Sequence, residues 1–289
     1  MPRRVSSLRR PMSSNSPVPP PTAASALRNK RFSGQPSLVD VLSGKGTIGP
    51  GARGTGVRAL QEALLAMGFS LPGGADGAFG KQSAKAVRNF QVHAQSAFPN
   101  VKATGGVDAA TLQALDALAP APKQTGQSQN LPVPRYDGTP VRVVVVKNEH
   151  RTFLFDAQGQ LQGIFGNAVG ANSSPTDKGL KQVSGKLGRA EAYALGQKLW
   201  GGPVYGPRLI DLSWADGSRS GEELHGTNAP DKLGEDVSHG CIRHGNTDII
   251  ALYDALQLKD SVAIVDTVKD PRLGSPGMPP PQTPSPSVA

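Results

Sequence analysis

The run Val141-Arg142-Val143-Val144-Val145-Val146 is β-branched almost throughout. Such side chains are stiff at χ1 and pack well on a pleated surface, so the run reads as a buried strand. Downstream, Phe153-Leu154-Phe155 and Leu161-Gln162-Gly163-Ile164-Phe165 flank Asp156-Ala157-Gln158-Gly159, a hairpin signal. Short apolar strands continue around Leu209-Ile210-Asp211-Leu212 and Val262-Ala263-Ile264-Val265. One helix is expected near the end, where Ile249, Leu252, Tyr253 and Leu256 fall at i, i+3, i+4, i+7 and Asn246 can cap it. Residues 139–267 are therefore expected to be a mainly β domain with a helix packed on it. The segment Lys186–Gly202, Ala-rich at Arg189–Leu195, reads as a helical insertion or lid.

Upstream the period changes. In residues 47–118, Val57, Leu60, Leu64 and Met67 recur at helical spacing, with Thr55 as a possible N-cap and Gly68 as the stop. A Gly-rich turn, Gly73 to Gly80, precedes a second helix with Ala84, Val87 and Phe90. Asp108 then caps a third helix with Leu112, Leu115 and Leu118. The fold class expected is α+β multidomain: a small three-helix module followed by a mainly β, sandwich-like domain. Residues 1–46 and 268–289 are rich in Pro and Ser and are expected to be disordered. Residues 119–138 read as a semi-stiff linker that tethers one domain to the other.

A chain of 289 residues accommodates about two domains of ordinary size. The net charge is +9, but residues 1–46 hold eight cations against Asp40, a net of +7. The basic balance thus belongs to a tail. Aromatic content of 5% advertises no stacking platform for nucleic acid, and no stretch approaches 18 apolar residues. The Arg-rich start lacks the apolar core of a secretory signal.

Ser238-His239-Gly240-Cys241-Ile242-Arg243 holds the only cysteine in the chain. A thiol is reactive as thiolate and needs a base or a cation to form it. His239 is the local candidate, since residues two apart in an extended segment point to the same side. Gly240 permits a tight turn and leaves backbone N–H groups for an oxyanion. Ser238 is placed to orient the imidazole. A zinc site from His225, His239, Cys241 and Asp236 is the competing reading; its ligand types suit zinc, but its spacing matches no short zinc signature. His93 and His150 lie outside any motif and are expected at the surface.

Two resemblances sharpen these readings. Gly56-Val57, Leu60-Gln61, Leu64, Gly68, Asp76-Gly77, Phe79-Gly80, Ala86-Val87, Phe90-Gln91 and Asp108 with Thr111 and Leu115 resemble the peptidoglycan-binding-domain-1 family. This implies a module that docks on wall glycopeptide. Tyr205-Gly206-Pro207-Arg208, His225-Gly226-Thr227-Asn228, Leu233-Gly234, Ser238 to Arg243, Asn246, Asp248 and Leu252-Tyr253 resemble the L,D-transpeptidase family, the YkuD-type catalytic domain, over roughly residues 140–266. That resemblance implies attack by Cys241 on the third residue of a peptidoglycan stem, loss of the terminal D-alanine, a thioester, and transfer to an amine to give a 3→3 cross-link. It makes His239 the general base and the N–H groups of Gly240 and Cys241 the oxyanion hole. Arg243 would fix the loop or bind a carboxylate, and His225, Gly226 and Tyr205 would line the substrate pocket.

No cofactor, metal, nucleic acid or membrane span is expected. The partners implied are stem peptides and glycan, and the location is the cell envelope or periplasm after export. Water as acceptor would make the enzyme an L,D-carboxypeptidase. A secreted effector carried by a secretion system, and a non-catalytic wall-binding protein, are the remaining alternatives. Two departures from the family stand out: His244 where an apolar residue is usual, and Pro175-Thr176-Asp177-Lys178-Gly179 in place of its Thr-Pro-x-Gly turn.

Overall fold

The structure, a computed structural model, describes residues 26–95, 97–124 and 131–274. The helical part comprises α1 (Pro36–Leu42), α2 (Thr55–Ala66), α3 (Lys81–Ala94) and α4 (Ala109–Leu118). There follow β1 (Arg135–Tyr136), β2 (Thr139–Pro140), β3 (Val143–Val146), β4 (Arg151–Phe155), β5 (Leu161–Gly170), β6 (Gly179–Leu187), α5 (Arg189–Trp200), β7 (Leu209–Trp214) and β8 (Arg219–His225). The β half ends with β9 (Asp236–Ser238), β10 (Ile242–His244), α6 (Asn246–Ala255) and β11 (Ser261–Val265). A helical N-terminal module and a mainly β domain are thus present as read.

The large sheet runs β10-β8-β7-β6-β11-β3-β4-β5-β9, and β10 pairs with β5 as well. This second pairing closes the sheet on itself, which leaves few free edges. Val143 and Val145 of β3 point into a core with Leu224, Ile242, Ile249 and Leu252. Val144 and Val146 point the other way, into a core shared with Phe69, Phe90 and the rest of the helical module. Strand β4 does the same, Leu154 on one side and Phe153 and Phe155 on the other. The unbroken valine run is therefore a strand buried on both faces, one face covered by α6 and the other by the N-terminal module.

That sharing corrects the expectation of a tethered module. Ile164 N–H donates to Gly68 O at 2.8 Å and Ser70 N–H to Ile164 O at 3.0 Å, so Phe69 adds a short parallel bridge to β5. The Ser70 hydroxyl donates to Asp248 at 2.7 Å. Arg151 lies fully buried at the junction, ion-paired with Glu149 and hydrogen-bonded to His93. His93 is accordingly a buried group, not a surface one. Part of the proposed linker, 135–138, belongs to the β1–β2 hairpin, and Asp137 and Arg135 bond to residues 272 and 274. Residues 268–274 are thus ordered onto the domain, while 275–289 and 125–130 lie outside the described residues.

The basic tail is also shorter than read. Residues 1–25 lie outside the described residues, but Phe32, Leu38 and Val41 insert into the module core. Among the described residues the module therefore has four α-helices. Buried Gln61 accepts from Gly77 N–H at 2.7 Å and donates to Asp76 at 2.8 Å. Buried Gln91 accepts from Gly105 N–H at 2.8 Å and donates to Gly106 O at 2.7 Å. These glutamines pin the two Gly-rich turns, which core packing alone would not require. Asp108 caps α4 as read, accepting from Thr111 N–H at 2.8 Å. Thr55 and Asn246 are first helical residues rather than caps; Gly54 and Gly245 precede them.

Candidate active site

Strand β9 ends at Ser238, and the chain bends through His239 and Gly240 before β10 begins at Ile242. Gly240 sits at φ +108, a conformation side-chain-bearing residues rarely adopt. The bend has its own ties. The Ser238 hydroxyl donates to Cys241 O and accepts from Gly240 N–H at 3.2 Å. Buried Thr176 donates to Gly240 O at 2.7 Å and accepts from Gly170 N–H at 2.9 Å, while Lys147 Nζ holds Thr176 O at 2.7 Å. The departing Pro175–Gly179 segment is thus the brace of the cysteine loop.

The second motif arrives on β8, parallel to β10, with Leu224 opposite Ile242 and His225 opposite Arg243. Leu224 faces the core, so Glu223 and His225 share the opposite face. Gly206 and Gly226 let their two segments cross: a Cβ on Gly226 would lie 2.5 Å from Asn246 Oδ1 and 2.8 Å from Pro207 Cδ. Asn246 Oδ1 takes the Thr227 N–H at 2.8 Å. Helix α5, unplaced by sequence, delivers Trp200. Its Nε1 donates to Tyr205 at 3.0 Å, and its ring stacks on His239 with centroids 5.6 Å apart. Tyr205 in turn meets the His225 ring edge-on at 4.9 Å. A cavity of about 100 Å³ is lined by Trp200, Tyr205, His225, His239, Cys241 and Arg243.

The chemistry of the pocket is set by burial. His225 Nδ1 lies 2.6 Å from Gly226 O, which makes it the N–H and leaves the lone pair on Nε2. Burial, with Arg243 nearby, pulls this imidazole down to about 4, only partly opposed by the Gly226 bond. Burial first, then the Glu223 carboxylate, pushes the Cys241 thiol up to about 12. The thiol donates to Glu223 Oε2 at 3.4 Å. Burial also raises the Glu223 carboxyl, the thiol bond partly opposing it. The resting site therefore holds a neutral thiol beside a neutral imidazole.

The predicted residues come together unevenly. Cys241, Ser238, Gly240, His225, Gly226, Tyr205 and Arg243 converge as read. The bend at 239–240 removes the extended geometry that paired His239 with the thiol, and His239 is exposed beneath Trp200. Ser238 orients the loop, not an imidazole, and it takes the Gly240 N–H expected to face an oxyanion. The zinc set does not assemble, since Asp236 bonds to His150 at 3.0 Å. What assembles instead is Glu223, His225 and Cys241, whose polar atoms lie within 4.8 Å of one another. His244 is buried and bonds Thr152 at 2.8 Å, held down to about 3 by burial, so its polarity is used inside the core.

Glu223 escaped sequence reasoning because Arg219-Ser220-Gly221-Glu222-Glu223 is too polar to announce a strand. The signal was there in part: two residues before His225 shares its face once a strand is assumed.

Residues 140–264 match the family described as "L,D-transpeptidase catalytic domain", and residues 53–115 match "Putative peptidoglycan binding domain". Over 134 residues the chain is 28% identical to "Putative L,D-transpeptidase YqjB" of Bacillus subtilis (strain 168), covering 45% of this chain and 73% of that protein. The crystal structure of the L,D-transpeptidase of Xylanimonas cellulosilytica DSM 15894 superposes with a TM-score of 0.50 at 20% identity, over 75% of this chain and 96% of that one. This last likeness is one of fold.

Proposed function

We propose that this chain, which carries an L,D-transpeptidase catalytic domain together with a peptidoglycan-binding domain, is a cysteine acyltransferase of peptidoglycan stem peptides. The observation that carries the reading is the Cys241 thiol grouped with a His225 ring whose other nitrogen is tied to Gly226 O. Seating the stem excludes water, and His225 Nε2 takes the thiol proton as Sγ attacks the carbonyl of the third residue. The oxyanion faces the Cys241 N–H, since the Gly240 N–H is committed to Ser238. The imidazolium then protonates the departing D-alanine, leaving a thioester that an amine of a second stem resolves. Arg243, which makes no ion pair among the described residues, receives a stem carboxylate. The substrate places this work at the cell wall.

Incubation with purified tetrapeptide muropeptides and mass analysis of the products tests the reading. Loss of D-alanine with dimer formation is expected. Loss without dimers assigns a carboxypeptidase, and no mass change overturns the enzyme reading.

A further inference from the structure

Glu223 is an unusual neighbour for a nucleophilic thiol. A carboxylate 3.4 Å from Sγ disfavours the thiolate and so works against the first chemical step. Its surroundings do not neutralise it. Among the described residues Glu223 has no ion-pair partner; Arg219 only lowers its pKa through space. Asp211, its direct cross-strand neighbour, adds a second negative charge on the same face. The only side-chain hydrogen bond Glu223 makes among the described residues is the one from the Cys241 thiol. Acylation of Sγ removes that proton. The acyl-enzyme therefore leaves a partly buried carboxylate without a donor, beside the thioester, and burying such a group is costly.

We propose that Glu223 selects a cationic amine as the acceptor, holding its ammonium against the acyl-thioester and taking its proton. The inference rests on the acyltransferase reading above. In the balanced step, the ammonium loses one proton to the Glu223 carboxylate, and the freed amine attacks the thioester carbon. The C–S bond breaks, and the second amine proton passes to Cys241, restoring the thiol as the amide forms. Protonated Glu223 then releases its proton to solvent. The raised carboxyl of Glu223 suits it to this base role. Water is neutral and is not drawn in by the charge, so the same residue raises the local concentration of a cationic amine over water at the thioester and biases it toward amide formation.

The test uses full-length wild type, E223Q and E223D. Release of D-alanine measures acylation. Partitioning between a diamino stem and hydroxylamine, which is neutral at pH 7, measures acceptor choice. In E223Q, kcat/KM for the diamino stem is expected to fall at least tenfold relative to the acylation rate of the same variant, through both KM and kcat, and partitioning to hydroxylamine to change less than twofold. E223D is expected to recover part of the loss. Equal losses with both acceptors, or an unchanged diamino response, overturn the inference alone. No release of D-alanine by wild type overturns the proposed function and this inference with it.

Discussion

His225 Nδ1 and Gly226 O are 2.6 Å apart, and that bond decides which ring nitrogen is free to meet the thiol. His239, by contrast, spends its ring face on Trp200. His225→Gln is therefore expected to lower kcat/KM for D-alanine release by about 10²–10⁴, the usual range for a general base. His239→Asn is expected to stay within roughly tenfold, because it leaves that base in place. Equal losses in the two variants would contradict the assignment.

The free thiol should behave as a poor nucleophile. Burial and Glu223 push it up to about 12, so its alkylation by iodoacetamide should keep rising with pH, without a plateau below about pH 9. A plateau near neutrality would mean that a thiolate is already formed in the resting protein. Stopped-flow or mass-based alkylation rates decide between them.

Acid should loosen the fold through its buried imidazoles. His225 and His244 are held neutral, down to about 4 and about 3. A group with a depressed folded pKa contributes stability that is complete above its ordinary value of about 6.5 and is lost as pH falls toward the folded value. The urea midpoint is expected to decline from pH 6.5 to 4, and His244→Asn should flatten the lower part of that slope.

Thr176 braces the cysteine loop through two bonds at once. Thr176→Val keeps its shape but orphans Gly240 O and Gly170 N–H, each worth about 1–3 kcal/mol when buried. A lower melting temperature together with a reduced acylation rate is expected. An unchanged acylation rate would show that the loop holds its geometry unaided.

Phe69 lies in the shared core beside the bridge to β5. Phe69→Ala is expected to cost about 3–5 kcal/mol and to lower a single unfolding transition common to both halves. Two separated transitions, with only the first shifted, would show that the halves are independent.

Much of this architecture is written in local pattern. Helical spacing at Val57, Leu60 and Leu64, and the hairpin at Asp156, depend on neighbours and were legible. Strand β8 was not, because its solvent-side and pocket-side residues are polar and only Leu224 announces a core. The proposed shift of the base from His239 to His225 has a related cause: proximity in sequence points to His239, whereas His225 meets the thiol across two parallel strands. Val141–Val146 was legible as buried, but a strand cannot say in advance what lies on its second face. Phe32, Leu38 and Val41 sit in a segment whose Pro, Ser and Arg content hides these three anchoring apolar residues.

Val144 and Val146 point into the helical module while Val143 and Val145 point toward the core beneath Cys241. One strand thus works as the fixed arm of a caliper, with the helical module at one jaw and the thiol at the other. Reach cannot be adjusted by a slack hinge. Under the proposed function, a polymer held by the module would meet the thiol at one offset, and the spacing of its products would carry the imprint of this arm.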